Sequence, residues 1–232
     1  MSSQRGIALI LVVLATSFLS ALGLGIALAV FLDRLASGNL RGSIAMLYAA
    51  DSGIELAARD LARQDWPSSL SGDMPGSLAD GLPGGVRAIP GGGAIDLTGI
   101  TNMLNCGKAT TCTEAQINAT SKERPWGANN PRWALFLYGP LTDVVQVFRP
   151  AAGYLAVWIA DDHREEDDDP LADADAGDRG HGILRVRAEA WGPMGSRRAI
   201  AAELARICTP DLGECLPGIR VQSWQELRQP IP

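Results

Sequence analysis

The chain is poor in the residues that make an active site legible. Histidine occurs twice, as His163 and His181. No G-x-S-x-G, no H-E-x-x-H and no glycine loop between a strand and a helix is present, so the common signatures of serine hydrolases, zinc proteases and nucleotide-binding folds are absent. The reading is therefore of a protein that is not an enzyme. There is no excess of positive charge either: 20 Lys and Arg stand against 26 Asp and Glu, a net charge of −6. A row of phosphates has nothing to neutralise it, and no nucleic-acid partner is expected. Aromatic residues make up only 6%. Of the four cysteines, Cys106, Cys112, Cys208 and Cys215, no two have the C-x-x-C spacing of a zinc ribbon or a redox motif.

What is present is distributed unevenly. In a chain of 232 residues, 47% are apolar, enough for a core, but the apolar residues crowd the N-terminal end. From Ile7 to Leu32 run 26 residues without a charge or a proline. At about 1.5 Å per residue the run spans roughly 39 Å, more than the roughly 30 Å hydrocarbon core of a bilayer. It is also longer than the roughly 7–15 apolar residues of a cleaved secretory signal. Arg5 precedes it, which places the short N-terminus in the cytoplasm and the rest of the chain outside. Ser17, Ala21, Gly25 and Ala29 recur every fourth residue, a small-residue stripe of the kind that lets helix backbones approach in lipid.

Helical periodicity continues beyond the apolar run. Leu40, Ile44, Leu47, Ile54, Ala58 and Leu61 follow steps of three and four, with Asp51 in the series, and predict an apolar face reaching outward. Glu55 and Arg59 form an i, i+4 pair, and no proline intervenes before Pro67, so one helix is expected over 7–65, with 7–32 in the membrane.

These features together resemble a type IV pilin precursor, and more closely the PilX-type minor pilins and pilus assembly proteins. The residues that carry the resemblance are Arg5-Gly6-Ile7-Ala8-Leu9-Ile10-Leu11, Ser37-Gly38-Asn39-Leu40-Arg41, Ala49-Ala50-Asp51-Ser52-Gly53-Ile54-Glu55 and Val221-Gln222-Ser223-Trp224-Gln225-Glu226-Leu227-Arg228. They make up 27 of the 232 residues. The resemblance implies a leader over residues 1–6, cut after Gly6 by a prepilin peptidase, and an N-methylated Ile7 at the mature terminus. It further implies that the helix waits in the inner membrane and then packs among other pilins with the help of the inner-membrane assembly machinery, so that the protein ends in the periplasm and on an extracellular pilus. Most pilins carry a Glu at the fifth mature position; here that position is Leu11. In the family this carboxylate pairs with the terminal amine of a neighbouring subunit, a pair tolerable in lipid only with both partners present. Its absence fits a minor subunit that initiates or tips the filament. A minor pseudopilin of type II secretion shares the same features.

The remainder reads as α+β, a pilin-like long helix followed by an antiparallel sheet. Residues 66–132 are rich in Gly and Pro, with Pro67, Pro75, Pro83, Pro90 and the run Gly91-Gly92-Gly93, and read as a loop region. Strands are expected at 133–138, 154–160, 183–191, 198–207 and 219–224, within a β-rich ectodomain over 133–232. Leu184, Val186, Ala188 and Ala190 alternate with Arg185, Arg187 and Glu189, as in a strand with one face buried. The Ala-rich stretch 198–207 suits a helix as well. In an oxidising compartment the four cysteines form two disulfides; three connectivities exist, and the local pairing of Cys106 with Cys112 and Cys208 with Cys215 is the preferred one.

Last comes an acidic run over 161–178, with ten carboxylates in eighteen residues. Such a run is either a solvated loop or a set of oxygen ligands, and calcium is the ion that irregular oxygen-rich loops bind. Its candidate ligands are Asp161, Asp162, Asp167, Asp169, Asp173 and Asp175. The EF-hand pattern fails, with Asp178 where a Gly is needed and Leu184 at the final Glu place. No cofactor is required by this reading, and a permanently anchored, metal-binding ectodomain is the alternative to a pilin.

Overall fold

The computed structural model describes residues 3–144, 152–165, 167, 169–173, 179–208 and 215–227, with the backbone alone at 3–6, 208 and 215–217. The long helix α1 runs over Ser3–Leu61 without interruption. No proline and no αL residue breaks it, and Gly38 and Gly53 are absorbed within it. Up to Arg41 the chain is one structural unit; residues from Gly42 onward form a second, which holds the core.

In the second unit five strands form one antiparallel meander in the order β3 (Ala134–Pro140), β4 (Tyr154–Asp161), β5 (Ile183–Trp191), β6 (Arg197–Cys208) and β7 (Cys215–Glu226). The registers align Val157 with Ala188 and Ala188 with Ile200, so one row of the sheet presents three apolar side chains to the same side. That side packs on the C-terminal part of α1. Met46, Ala50, Ile54, Ala57 and Leu61 pack with Leu155, Val157, Leu184, Val186 and Leu204 in one core, joined by Trp66 and Leu70 of α2 (Trp66–Leu70). The fold is therefore α+β, a long apolar helix followed by a five-stranded antiparallel sheet.

The buried face of α1 is only partly the one expected from its periodicity: Ile54 and Leu61 lie in the core, but the N-terminal part of the face does not. Leu40 and Ile44 are exposed, and Leu47 and Ala58 are only half-buried. The face in contact is Met46, Ala50, Gly53, Ala57 and Leu61, because small residues let the helix lie close on the sheet. A Cβ at Gly53 would stand 2.9 Å from Cδ1 of Leu155 and 3.0 Å from Cγ2 of Val157. Arg59 bonds with Asp60 and Ser77. The helix also stops at Leu61, four residues short of expectation, and Asp65 caps α2 instead, its carboxylate accepting from the Ser68 backbone N–H at 3.1 Å. Pro67 sits in the first turn of α2, where the missing N–H costs nothing.

The opposite face of the sheet is covered too. The region 66–132 contains a hairpin of β1 (Val86–Ala88) and β2 (Ala94–Asp96), followed by α3 (Leu97–Cys106) and α4 (Glu114–Ile117). The run Gly91-Gly92-Gly93, all at positive φ, makes the tight return between β1 and β2. Ile95, Leu97, Ile100 and Leu104 pack on Tyr138, Tyr154, Ala156, Trp158 and Trp191. Trp158 Nε1 donates to Thr101 Oγ1 at 2.8 Å and ties α3 to the centre of the sheet. With covers on both sides, every residue of β4 is buried.

Beyond α3 the chain is held by polar groups. Arg124 donates to the carbonyls of Leu104, Ile117 and Pro131, and Asn130 to those of Ile117 and Ala119. Burial, with Arg185 nearby, brings the Arg124 guanidinium down to about 10. Cys106 and Cys112 form a disulfide that closes the C-terminal end of α3. Cys208 and Cys215 face each other as Cα partners of β6 and β7; their side chains lie outside the described residues.

Candidate functional site

Two regions carry the residues singled out from the sequence, one in each unit. In the first, the helix passes through Gly6 and Ile7, and every large apolar side chain from Ile7 to Leu35 is exposed. Ser17, Ala21, Gly25 and Ala29 are exposed on it, and nothing approaches a Cβ built at Gly25 within 4 Å. The helix is long and apolar enough to cross a membrane, which makes it a candidate anchor.

In the second unit, the C-terminal end of β4 delivers Asp161 and Asp162 into a pocket that Glu165 and Asn129 also line, with Asp167 and Pro170 beside them. Asp161, Asp162 and Glu165 are only 3%, 2% and 2% exposed. Three buried carboxyl groups in one place are costly, and only part of the cost is offset. Asp161 shares a hydrogen bond with Glu165; burial first, and the Glu165 charge second, push Asp161 up to about 9. Asp162 has His163 Nδ1 at 3.4 Å and Arg164 Nη1 at 3.9 Å, yet neither of its carboxylate oxygens accepts a hydrogen bond. Arg164 instead directs its other nitrogen to Glu203 at 2.8 Å. The backbone is fixed by Asn129, whose Nδ2 donates to the Glu165 carbonyl at 2.6 Å. The His163 ring lies against Trp126 with centroids 3.9 Å apart, and burial beside Arg185 lowers its pKa.

The acidic run is thus divided. Asp161 and Asp162 come together with Glu165, and Asp167 stands at the rim, exposed. Asp167 and Asp169 accept backbone N–H bonds from Asp169 and Leu171 at 3.1 Å each, closing turns. Asp173 serves elsewhere: it accepts the Gly182 N–H at 2.6 Å beside His181, and burial raises its pKa. Asp175 lies outside the described residues. Among the described residues no three His, Cys, Asp or Glu side chains already converge on one point as metal ligands. The contribution of Asn129 has no sequence signal, since it arrives from a turn distant in the chain; Glu165 stood in the acidic run without anything to separate it from its neighbours.

One further contact joins two of the segments that carried the pilin resemblance. Trp224 Nε1 of β7 donates to Asp51 Oδ1 of α1 at 2.8 Å. Compared with family models, with curated proteins and with solved structures, the chain matches none.

Proposed function

We propose that the protein is a minor pilin that takes part in initiating or tipping a type IV pilus. The observation that carries this reading is α1 itself, a helix of 59 residues: residues 7–32 expose only apolar and small side chains, and its last turns pack on an antiparallel sheet. A permanent anchor needs only the span. A subunit that leaves lipid for a bundle of sister helices needs in addition small close-packing positions on that span, because the exposed apolar stretch then exchanges lipid for neighbouring helices. Ser17, Ala21, Gly25 and Ala29 supply close-packing positions for such neighbours. Leu11, lacking the carboxylate that would pair with a neighbour's amine, suits a subunit at the end of the filament rather than along it.

Processing gives the test. Replacing Gly6 by Leu is expected to leave the six-residue leader in place, seen as a slower-migrating chain retained in the inner membrane, whereas replacing His163 or His181 by Gln leaves processing and pilus number unchanged. A Gly6→Leu chain that still loses its leader would contradict the reading. The buried carboxylates favour a second reading, a permanently anchored ectodomain that binds a metal; it requires an uncut N-terminus.

A further inference from the structure

At the end of β4 the Asp162 carboxylate is buried with no hydrogen-bond donor to either oxygen. Two consecutive carboxylates and a third from the following turn are withdrawn from water, and both oxygens of Asp162 and one of Asp161 are buried without a hydrogen bond. Asn129 Oδ1, in the same pocket, is buried and unbonded as well. A Cβ placed on Gly180 would stand 2.5 Å from Cγ and 3.1 Å from Oε1 of Glu165 and 3.3 Å from Asp162 Oδ2, so the Gly180 backbone packs directly against both side chains. The buried anionic oxygens of Asp162, in that state, call for a cation. Beside Asp162, His163 Nδ1 stands 3.4 Å and Arg164 Nη1 3.9 Å away, and Arg164 is engaged with Glu203.

From this geometry we propose that Asp161, Asp162 and Glu165, with the Asn129 side-chain oxygen, form a binding site for a hard divalent cation of calcium's size. All four donors are oxygens, which excludes the soft, nitrogen- and sulfur-preferring metals. They come from a strand end and two irregular turns, which suits the adaptable coordination of calcium better than the strict octahedron of magnesium. Three carboxylates against a doubly charged ion leave one residual negative charge, partly met by Arg164. Binding draws the three carboxylates together, since they do not yet converge, and Asp167 at the rim lies next to the entry. The site does not depend on the filament role: it would serve an anchored ectodomain equally.

The experiment is a calcium titration of the full chain in detergent micelles after chelation, followed by thermal melting and by terbium emission excited through Trp126, which lies against His163 beside the pocket. The expected result is an upward shift in the melting temperature of about 5 °C or more at roughly a hundredfold excess of calcium over its Kd. A weaker response to magnesium and terbium emission that calcium competes away are expected with it. The variant Asp162→Asn should melt at or above the unaltered chain in chelator, because a repulsion is removed, and should lose the calcium shift and the terbium signal. The double variant Asp167→Asn with Asp169→Asn should keep both. Three results would overturn the proposal: no shift at 10 mM calcium, on the order of extracellular affinities; a shift that survives in Asp162→Asn; or a shift lost only in the Asp167/Asp169 variant, which would place the ion on the exposed loop.

Discussion

Glu189 shows how much this molecule asks of single residues. It is fully buried on β5, and both of its oxygens are taken, Oε1 by Arg187 Nε at 2.7 Å and Oε2 by Arg197 Nε at 3.0 Å. The arginine side chains remain 11% and 20% exposed, so the three together bring two charges in from the surface to meet one that cannot reach it. Removing the carboxylate leaves two guanidinium groups facing each other in a mostly buried setting. Glu189→Ala is expected to destabilise the chain by about 3 kcal/mol in denaturant unfolding. Asp161 behaves in the opposite way. Its folded pKa stands near 9 against 3.8 unfolded, so the folded state holds a proton that the unfolded state has released. Stability then falls as pH rises between those values. His163, with a lowered pKa, opposes this only below about pH 6.5, where its unfolded form takes up a proton. In chelator, the melting temperature should therefore drop from pH 7 to pH 9, and Asp161→Asn should flatten the slope; a rise over that range would contradict the pairing of Asp161 with Glu165.

At the scale of elements, the close approach of α1 to the sheet rests on side chains that are missing. Gly53→Val is expected to cost about 2 kcal/mol in thermal or denaturant unfolding, since its methyls would enter space held by Leu155 and Val157. This is also why the helix face was legible only in part. Large apolar residues at helical spacing pick out Ile54 and Leu61, which are in the core, but also Leu40 and Ile44, which are exposed, and pass over Ala50, Gly53 and Ala57, which pack beside them. The strands were easier. In β5 the alternation of Leu184, Val186, Ala188 and Ala190 with charged residues has a single reading, and the continuous apolar run of β4 follows from its burial on both faces. β6 is a strand in spite of its alanines because it pairs on both sides, with β5 and with β7. The second cover of the sheet was not legible: β1, β2 and α3 are short and set among glycines, and Thr101 and Asn105 fix α3 by bonds to Trp158 and Trp133 that no periodicity announces. The disulfide between Cys106 and Cys112 is the local pairing preferred from the sequence, where three connectivities were open.

For the molecule as a whole, the account turns on what becomes of the apolar half of α1. Its side chains from Ile7 onward are uncovered within the chain, and an isolated apolar helix of that length must be in lipid or against other helices. Permanent residence in the bilayer and transfer into a filament place different demands on the first six residues. An anchor keeps them; a pilin loses them and exposes Ile7. The most direct measurement is the intact mass of the N-terminal peptide of the protein recovered from the cells that make it. The account predicts a chain beginning at Ile7 with a methyl group on its amine, and a chain that still carries residues 1–6 would contradict it.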